Sequence, residues 1–150
     1  MLKGIDNRLN ADVIYVLRAM GHGDTLVISD TNFPADSIAR QSVHGQLLRM
    51  ENLTAGQVTE AVLSVLPLDT FVPDHAARME VVGKPDEVLP VAAEVQSAID
   101  AAEGRPRPMV SIERFAFYDA SRTAYAVIQS GERRFYGCFI LRKGVIPPDA

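Results

Sequence analysis

The sequence predicts an α/β fold, a single three-layer domain over residues 1–150 with a mixed or mostly parallel central sheet. Two observations lead there. Helical and extended apolar periodicities alternate along the chain, the pattern of an α/β domain. A chain of 150 residues with 47% hydrophobic residues can bury one substantial core. The Pro/Gly-rich stretch from Gly104 to Pro108 reads as a loop, because too little chain follows it for a second domain.

The first helix is expected from Ala11 to Met20. Asn10 suits its N-cap, Gly21 its end, and Val13, Val16, Leu17 and Met20 form one apolar face. Thr25 to Ser29 reads as a short buried strand. Phe33-Pro34-Ala35-Asp36 marks a turn into a short helical or irregular stretch, followed by a strand from Gln46 to Met50. Thr54 and Gln57 match a capping box, which predicts a helix reaching Leu66 and stopped by Pro67. Thr54 also completes a glycosylation sequon with Asn52, but the helix cap is the preferred reading. A strand is expected at Met79 to Val82. A third helix should cover Asp86 to Glu103, with Val91, Val95, Ile99 and Ala102 on one side. Glu113 to Ser121 suggests a fourth helix. Strands at Ala124 to Gln129 and Tyr136 to Arg142 close the chain, joined through a turn containing Ser130-Gly131-Glu132.

Composition removes several function classes. The formal net charge of −4 disfavours nucleic acid or an anionic membrane as partner. The basic clusters Arg105-Pro-Arg107 and Arg133-Arg134 read as solvated loop charges. A lone cysteine, Cys138, allows no internal disulfide and fits a reducing compartment. With no signal-like start and no membrane-length apolar run, the expected location is the cytoplasm.

The most distinctive local feature is Gly21-His22-Gly23-Asp24. Flanking glycines leave the imidazole uncrowded, and histidine carries protons well near neutrality. Asp24 stands close enough in sequence to orient the ring. The segment reads equally as a helix-ending turn. A dinucleotide site is excluded, because the third glycine is missing and the order is helix-turn-strand. No metal site is expected, since His22, His44 and His75 are widely spaced. His44 and His75 read as surface or loop residues. Cys138 lies in an apolar strand and reads as a buried small hydrophobe. Asp30, Asp69, Arg114 and Tyr136 stand at ends of apolar segments. Each reads singly as a solvated end residue; together they supply acceptors, a forked donor and a phenol for a polyhydroxylated ring.

Six segments occur in order: Met20-Gly-His-Gly-Asp24, Ser29-Asp-Thr-Asn-Phe-Pro-Ala35, Leu66-Pro-Leu-Asp-Thr70, Glu113-Arg-Phe-Ala-Phe-Tyr118, Ser130-Gly-Glu132, and Tyr136-Gly-Cys138 with Leu141-Arg-Lys-Gly-Val145. They closely resemble the ribose pyranase / fucose mutarotase family, on its L-fucose mutarotase branch, from Met1 to about Val145. The resemblance implies a cytosolic mutarotase that acts on a monosaccharide without metal or cofactor. It also implies a ring-shaped homo-oligomer, often a decamer of two stacked pentamers, with active sites at subunit contacts. The family's catalytic histidine falls on His22, its sugar-binding acid on Asp30 and its arginine on Arg114. Its closing-strand tyrosine and glycine fall on Tyr136 and Gly137. Asp69 and Tyr118 fall on positions that contact sugar or assist proton transfer, and Tyr118 or Tyr136 is the candidate second proton carrier. Relatives usually carry asparagine where this chain has Cys138, which bears on the sugar preferred. Two neighbouring readings are a ribose pyranase and a non-catalytic sugar-binding protein; a third is a structural oligomer module.

Overall fold

In the computed structural model, which describes residues 1–150, a six-stranded sheet runs in the order β2-β5-β1-β6-β3-β4. Its strands are β1 (Thr25–Ser29), β2 (Leu47–Met50), β3 (Ala76–Met79), β4 (Val110–Ile112), β5 (Ala126–Ser130) and β6 (Phe139–Arg142). Pairs β2/β5, β5/β1 and β3/β4 are parallel, whereas β6 is antiparallel to both neighbours, β1 and β3. The sheet is therefore mixed and mostly parallel, as the sequence predicts.

Five helices cover it: α1 (Ala11–Ala19), α2 (Ala35–Ala39), α3 (Ala55–Leu63), α4 (Pro90–Glu103) and α5 (Arg114–Arg122). Alternation along each strand sorts side chains between two cores. Leu26, Ile28, Ala126, Ile128, Phe139 and Leu141 face α1, α3 and α4. Val27, Ala77, Val127 and Ile140 face α2 and α5. Each fully buried Leu, Ile or Phe contributes about 1.5–3 kcal/mol, so the larger core on the three-helix side dominates stability.

Helix ends follow local chemistry. The Asn10 side chain accepts from Val13 N at 3.0 Å, and Lys143 Nζ donates to the carbonyls of Leu17 (2.7 Å) and Met20 (2.5 Å) at the other end of α1. Thr54 and Gln57 form the reciprocal capping box of α3. The Glu113 carboxylate caps α5 by accepting from Phe115 N and Ala116 N. No helix is long and apolar enough to cross a membrane.

Several boundaries differ from expectation. α3 ends at Leu63, before Leu66. α4 starts at Pro90 rather than Asp86, because a proline at the first helical position has no N–H to leave unpaired. Ala102 is exposed and Ala98 takes its place in the core. The third strand lies at Ala76–Met79, three residues before the expected span; Val81 and Val82 belong to a small turn with a Val81–Lys84 bridge. Strand β4 has no counterpart in the sequence reading. The last strand starts at Phe139, because Tyr136 adopts φ +60 and interrupts the extended backbone. The link through Ser130-Gly131-Glu132 is no hairpin turn, since β1 lies between β5 and β6.

Two side-chain expectations also change. His75 is buried, with Nε2 3.2 Å from the Arg107 carbonyl. Arg107 is buried too, and Arg134 is engaged by two carboxylates, so only Arg105 and Arg133 of those clusters are exposed without an ion-pair partner.

Candidate active site

The expected site residues gather at two opposite ends of the sheet. At the carboxyl ends of the parallel strands, a cleft of about 420 Å³ is lined by Asp30, Arg114, Tyr118, Tyr136 and Cys138, with Phe33, Met79 and Phe135 among its apolar walls. Ligands of open α/β sheets characteristically bind there.

Asp30 follows β1 directly and is buried. Its Oδ1 accepts from Asn32 N and Phe33 N, both at 2.9 Å, and its Oδ2 accepts from Gly137 N at 3.2 Å. Oδ2 therefore keeps a lone pair for a ligand hydroxyl. Gly137 is required by close approach, because an added Cβ would lie 2.7 Å from Glu132 Cγ and 3.2 Å from Asp30 Cβ. The preceding Tyr136 sits in the left-handed region at φ +60, a conformation costing roughly 1–3 kcal/mol that surrounding structure must hold. Glu132 anchors the loop that leads into Tyr136. Its carboxylate accepts from Arg134 N, Nε and Nη2 and from Ala55 N, and the Arg134 guanidinium holds its carboxyl down at about 2.

The phenols are alike in one respect. Tyr118 Oη accepts from Arg114 Nε at 3.2 Å, and Tyr136 Oη accepts from Val82 N at 3.3 Å. Each oxygen is used as an acceptor, which leaves its own hydrogen free to donate to a ligand. The Arg114 guanidinium also lies 5.5 Å from the Tyr118 ring centre and 5.6 Å from that of Phe115. Cys138 is buried in the cleft wall; burial, then the nearby Asp30 charge, pushes its thiol well up. It is a neutral wall group and no nucleophile.

His22 lies at the other end of β1, whose five residues span roughly 17 Å at about 3.3 Å each. The turn needs Gly23 in the left-handed region at φ +86. The ring's Nε2 is 3.1 Å from Asp69 Oδ2. Asp24 does not orient it, because Asp24 Oδ2 instead accepts from Gly21 N at 2.7 Å. Asp69 Oδ1 accepts from Phe71 N, and that bond, followed by the one to His22, lowers the carboxyl's pKa. An ionised carboxylate only accepts, so Nε2 carries the ring hydrogen and Nδ1 is left as the basic atom. The side chain of His22 is 46% exposed, and the 70% exposed Phe71 packs edge-on against it with ring centres 5.6 Å apart.

Sequence reading did not single out Phe71, Met79 or Phe135, and it placed Glu132 only in a turn and a family-like segment, with no role. Phe71 carried a signal, since it lies two residues beyond Asp69 in a polar turn. The partners of Glu132 carried no signal, because they lie in α3 (Ala55 N) or follow it in a loop (Arg134).

Comparison with known proteins agrees with this architecture. The profile of the RbsD / FucU transport protein family matches residues 3–146. The chain is 43% identical over 148 residues to the human protein named fucose mutarotase, covering 97% of this chain and 94% of that one. The crystal structure of protein Atu2016 superposes with a TM-score of 0.96 at 62% identity, covering 98% of this chain and 97% of that chain. The fucose mutarotase of Streptococcus pneumoniae, solved in complex with L-fucose, superposes with a TM-score of 0.86 at 29% identity, covering 97% of this chain and all of the other (100%).

Proposed function

This chain belongs to the RbsD / FucU transport protein family, and from that premise we propose that it is a mutarotase interconverting the α and β anomers of a free sugar, L-fucose by preference. The observation that carries the reading is the cleft itself. It sets a carboxylate, a guanidinium and two phenols with donatable hydrogens against an apolar wall. Hydroxyls on one face and a 6-deoxy methyl on the other fit that division.

Mutarotation moves only protons. A base removes the anomeric hydroxyl proton while an acid protonates the ring oxygen, and the C1–O5 bond breaks to give the open aldehyde. Rotation about C1–C2 and the reverse transfers close the ring on the other face. His22 Nδ1 acts as the base, Tyr118 or Tyr136 as the acid, and Asp30 and Arg114 hold hydroxyls. No metal or cofactor is needed for proton exchange alone.

In one chain His22 and Asp30 lie at opposite ends of β1. The reading therefore needs a second copy, whose His22, Asp69 and Phe71 enter the cleft. A ring-shaped homo-oligomer, a decamer of two stacked pentamers, meets that need. Exposed Phe71 and Phe135 suit such a contact. A cytoplasmic location fits the composition.

Saturation-exchange NMR on L-fucose and D-ribose tests the proposal. The protein should accelerate anomer exchange of L-fucose, and His22→Asn should retain sugar binding while losing roughly 10²–10⁴-fold in exchange. Exchange at the parental rate in that variant would sink the assignment.

A further inference from the structure

Behind His22 lies a second set of charges that the mechanism above does not use. Glu103 is the last residue of α4, and Arg107 follows in the adjoining loop. Their side chains are only 15% and 10% exposed, and Arg107 Nη1 lies 3.6 Å from Glu103 Oε2. Both reach the same short piece of backbone. Glu103 Oε1 accepts from Leu68 N at 3.3 Å, and Arg107 Nη2 donates to Asp69 O at 2.7 Å. The pair thus grips the backbone of Leu68 and of Asp69, the residue that orients His22.

Helix stability does not explain the arrangement. A carboxylate at a helix C-terminus faces the negative end of the macrodipole. Buried ion pairs are also weak contributors to net stability. The clamp is nonetheless firmly rooted. Arg107 N donates to Asp100 Oδ1 at 2.8 Å, and its carbonyl accepts from Gln96 Nε2 at 2.8 Å. On the other side, Asp69 N donates to Arg142 O at 3.0 Å, tying it to β6. Every polar atom of Asp69 is therefore engaged: N by the sheet, O by Arg107, Oδ1 by Phe71 and Oδ2 by His22.

We propose that Glu103 and Arg107 are positioning residues for proton transfer: they fix the Leu68–Asp69 backbone from α4, and so fix the direction of the His22 ring. The inference rests on the reading of His22 as the base. Neither residue lines the cleft around Asp30, and both act through backbone atoms of Leu68 and Asp69, so the clamp bears on turnover more than on sugar affinity.

The test compares the full-length protein with Arg107→Met, Arg107→Lys, Glu103→Gln and His22→Asn. Anomer exchange gives kcat and KM, and long-range ¹H–¹⁵N spectra report the His22 tautomer. A misplacement of about 1 Å can cost 10²-fold in rate. Arg107→Met should therefore lower kcat about ten- to hundred-fold with KM within about two-fold, and should mix the His22 tautomers. Arg107→Lys, which keeps a donor for Asp69 O, should recover part of the rate. Glu103→Gln, which retains a side-chain oxygen for Leu68 N, should lose less than Arg107→Met and remains informative if that variant does not fold. If His22→Asn loses exchange while Arg107→Met and Glu103→Gln keep parental kcat and one tautomer, the clamp is overturned. If His22→Asn retains exchange, the reading of His22 fails first, and the clamp with it.

Discussion

Replacing Glu132 by glutamine removes one charge from the loop that shapes the cleft, and its cost follows from the structure. The Glu132 carboxyl is held at about 2 instead of the ordinary 4.5, chiefly by its bonds to Arg134. At about 1.4 kcal/mol per pH unit, that difference corresponds to about 3 kcal/mol of folding free energy at neutral pH. The sign is that of a depressed acid. The contribution is complete above pH 4.5 and is lost as pH falls from 4.5 toward 2. Arg134 keeps its two-pronged contact with Glu94, both bonds at 2.7 Å, so the variant leaves no stranded cation. Thermal unfolding at one protein concentration, followed by circular dichroism from pH 7 to pH 2.5, measures the effect. For a chain of this length about 3 kcal/mol corresponds to a Tm about 6–12 °C lower at pH 7. The parent and variant curves should converge as pH approaches 2. A gap under about 2 °C at pH 7, or one that stays constant down to pH 2.5, would refute the reasoning from charge pairing.

Two further outcomes follow from local geometry. Gly137→Ala places a methyl against Glu132 and Asp30, so the loop must shift and the Gly137 N–H to Asp30 bond is lost. We expect a loss of roughly 1–3 kcal/mol together with weakened sugar binding, read by thermal unfolding and by titration with L-fucose; unchanged affinity would count against Asp30 as the hydroxyl anchor. Thr54→Ala removes the side-chain acceptor of the α3 capping box. It should cost about 1 kcal/mol, seen as a Tm lower by about 2–4 °C, with anomer exchange unchanged.

Elements whose signals are local were legible from the sequence. Helix α1 is bracketed by Asn10 and Gly21, α3 carries its capping box, and β1 is a run of buried β-formers. Strand β3 was misplaced because its residues Ala76-Ala77-Arg78 have weak strand character while Val81 and Val82 nearby have more. Strand β4 is only three residues long and owes its existence to pairing with β3. At the candidate site, the residue types were legible but their partners were not. Asp24 is the acid nearest to His22 in sequence, yet its carboxylate closes its own turn on Gly21. The acid that meets the ring is Asp69, brought in from 47 residues away by the bond of its N–H to the end of β6. Periodicity and caps carry no record of such contacts. Nor do they reveal that His22 and Asp30, eight positions apart, face opposite ends of the sheet.

The strand order bears on how the chain comes to fold at all. Strands β5 and β6 are the last to be synthesised, yet β5 separates β2 from β1 and β6 separates β1 from β3. Until residues 126–142 are available, β1 and β2 have no strand to pair with in this sheet, and the β3/β4 pair is detached from both. A chain emerging from the ribosome must therefore hold its earlier helices and strands unjoined until nearly all of it has appeared. Long-range closure of this kind slows folding and prolongs exposure of unpaired edges. The segment that brings Tyr136, Gly137 and Cys138 to the cleft is thus also the one that closes the sheet, so a nascent chain lacks this cleft until its fold is complete.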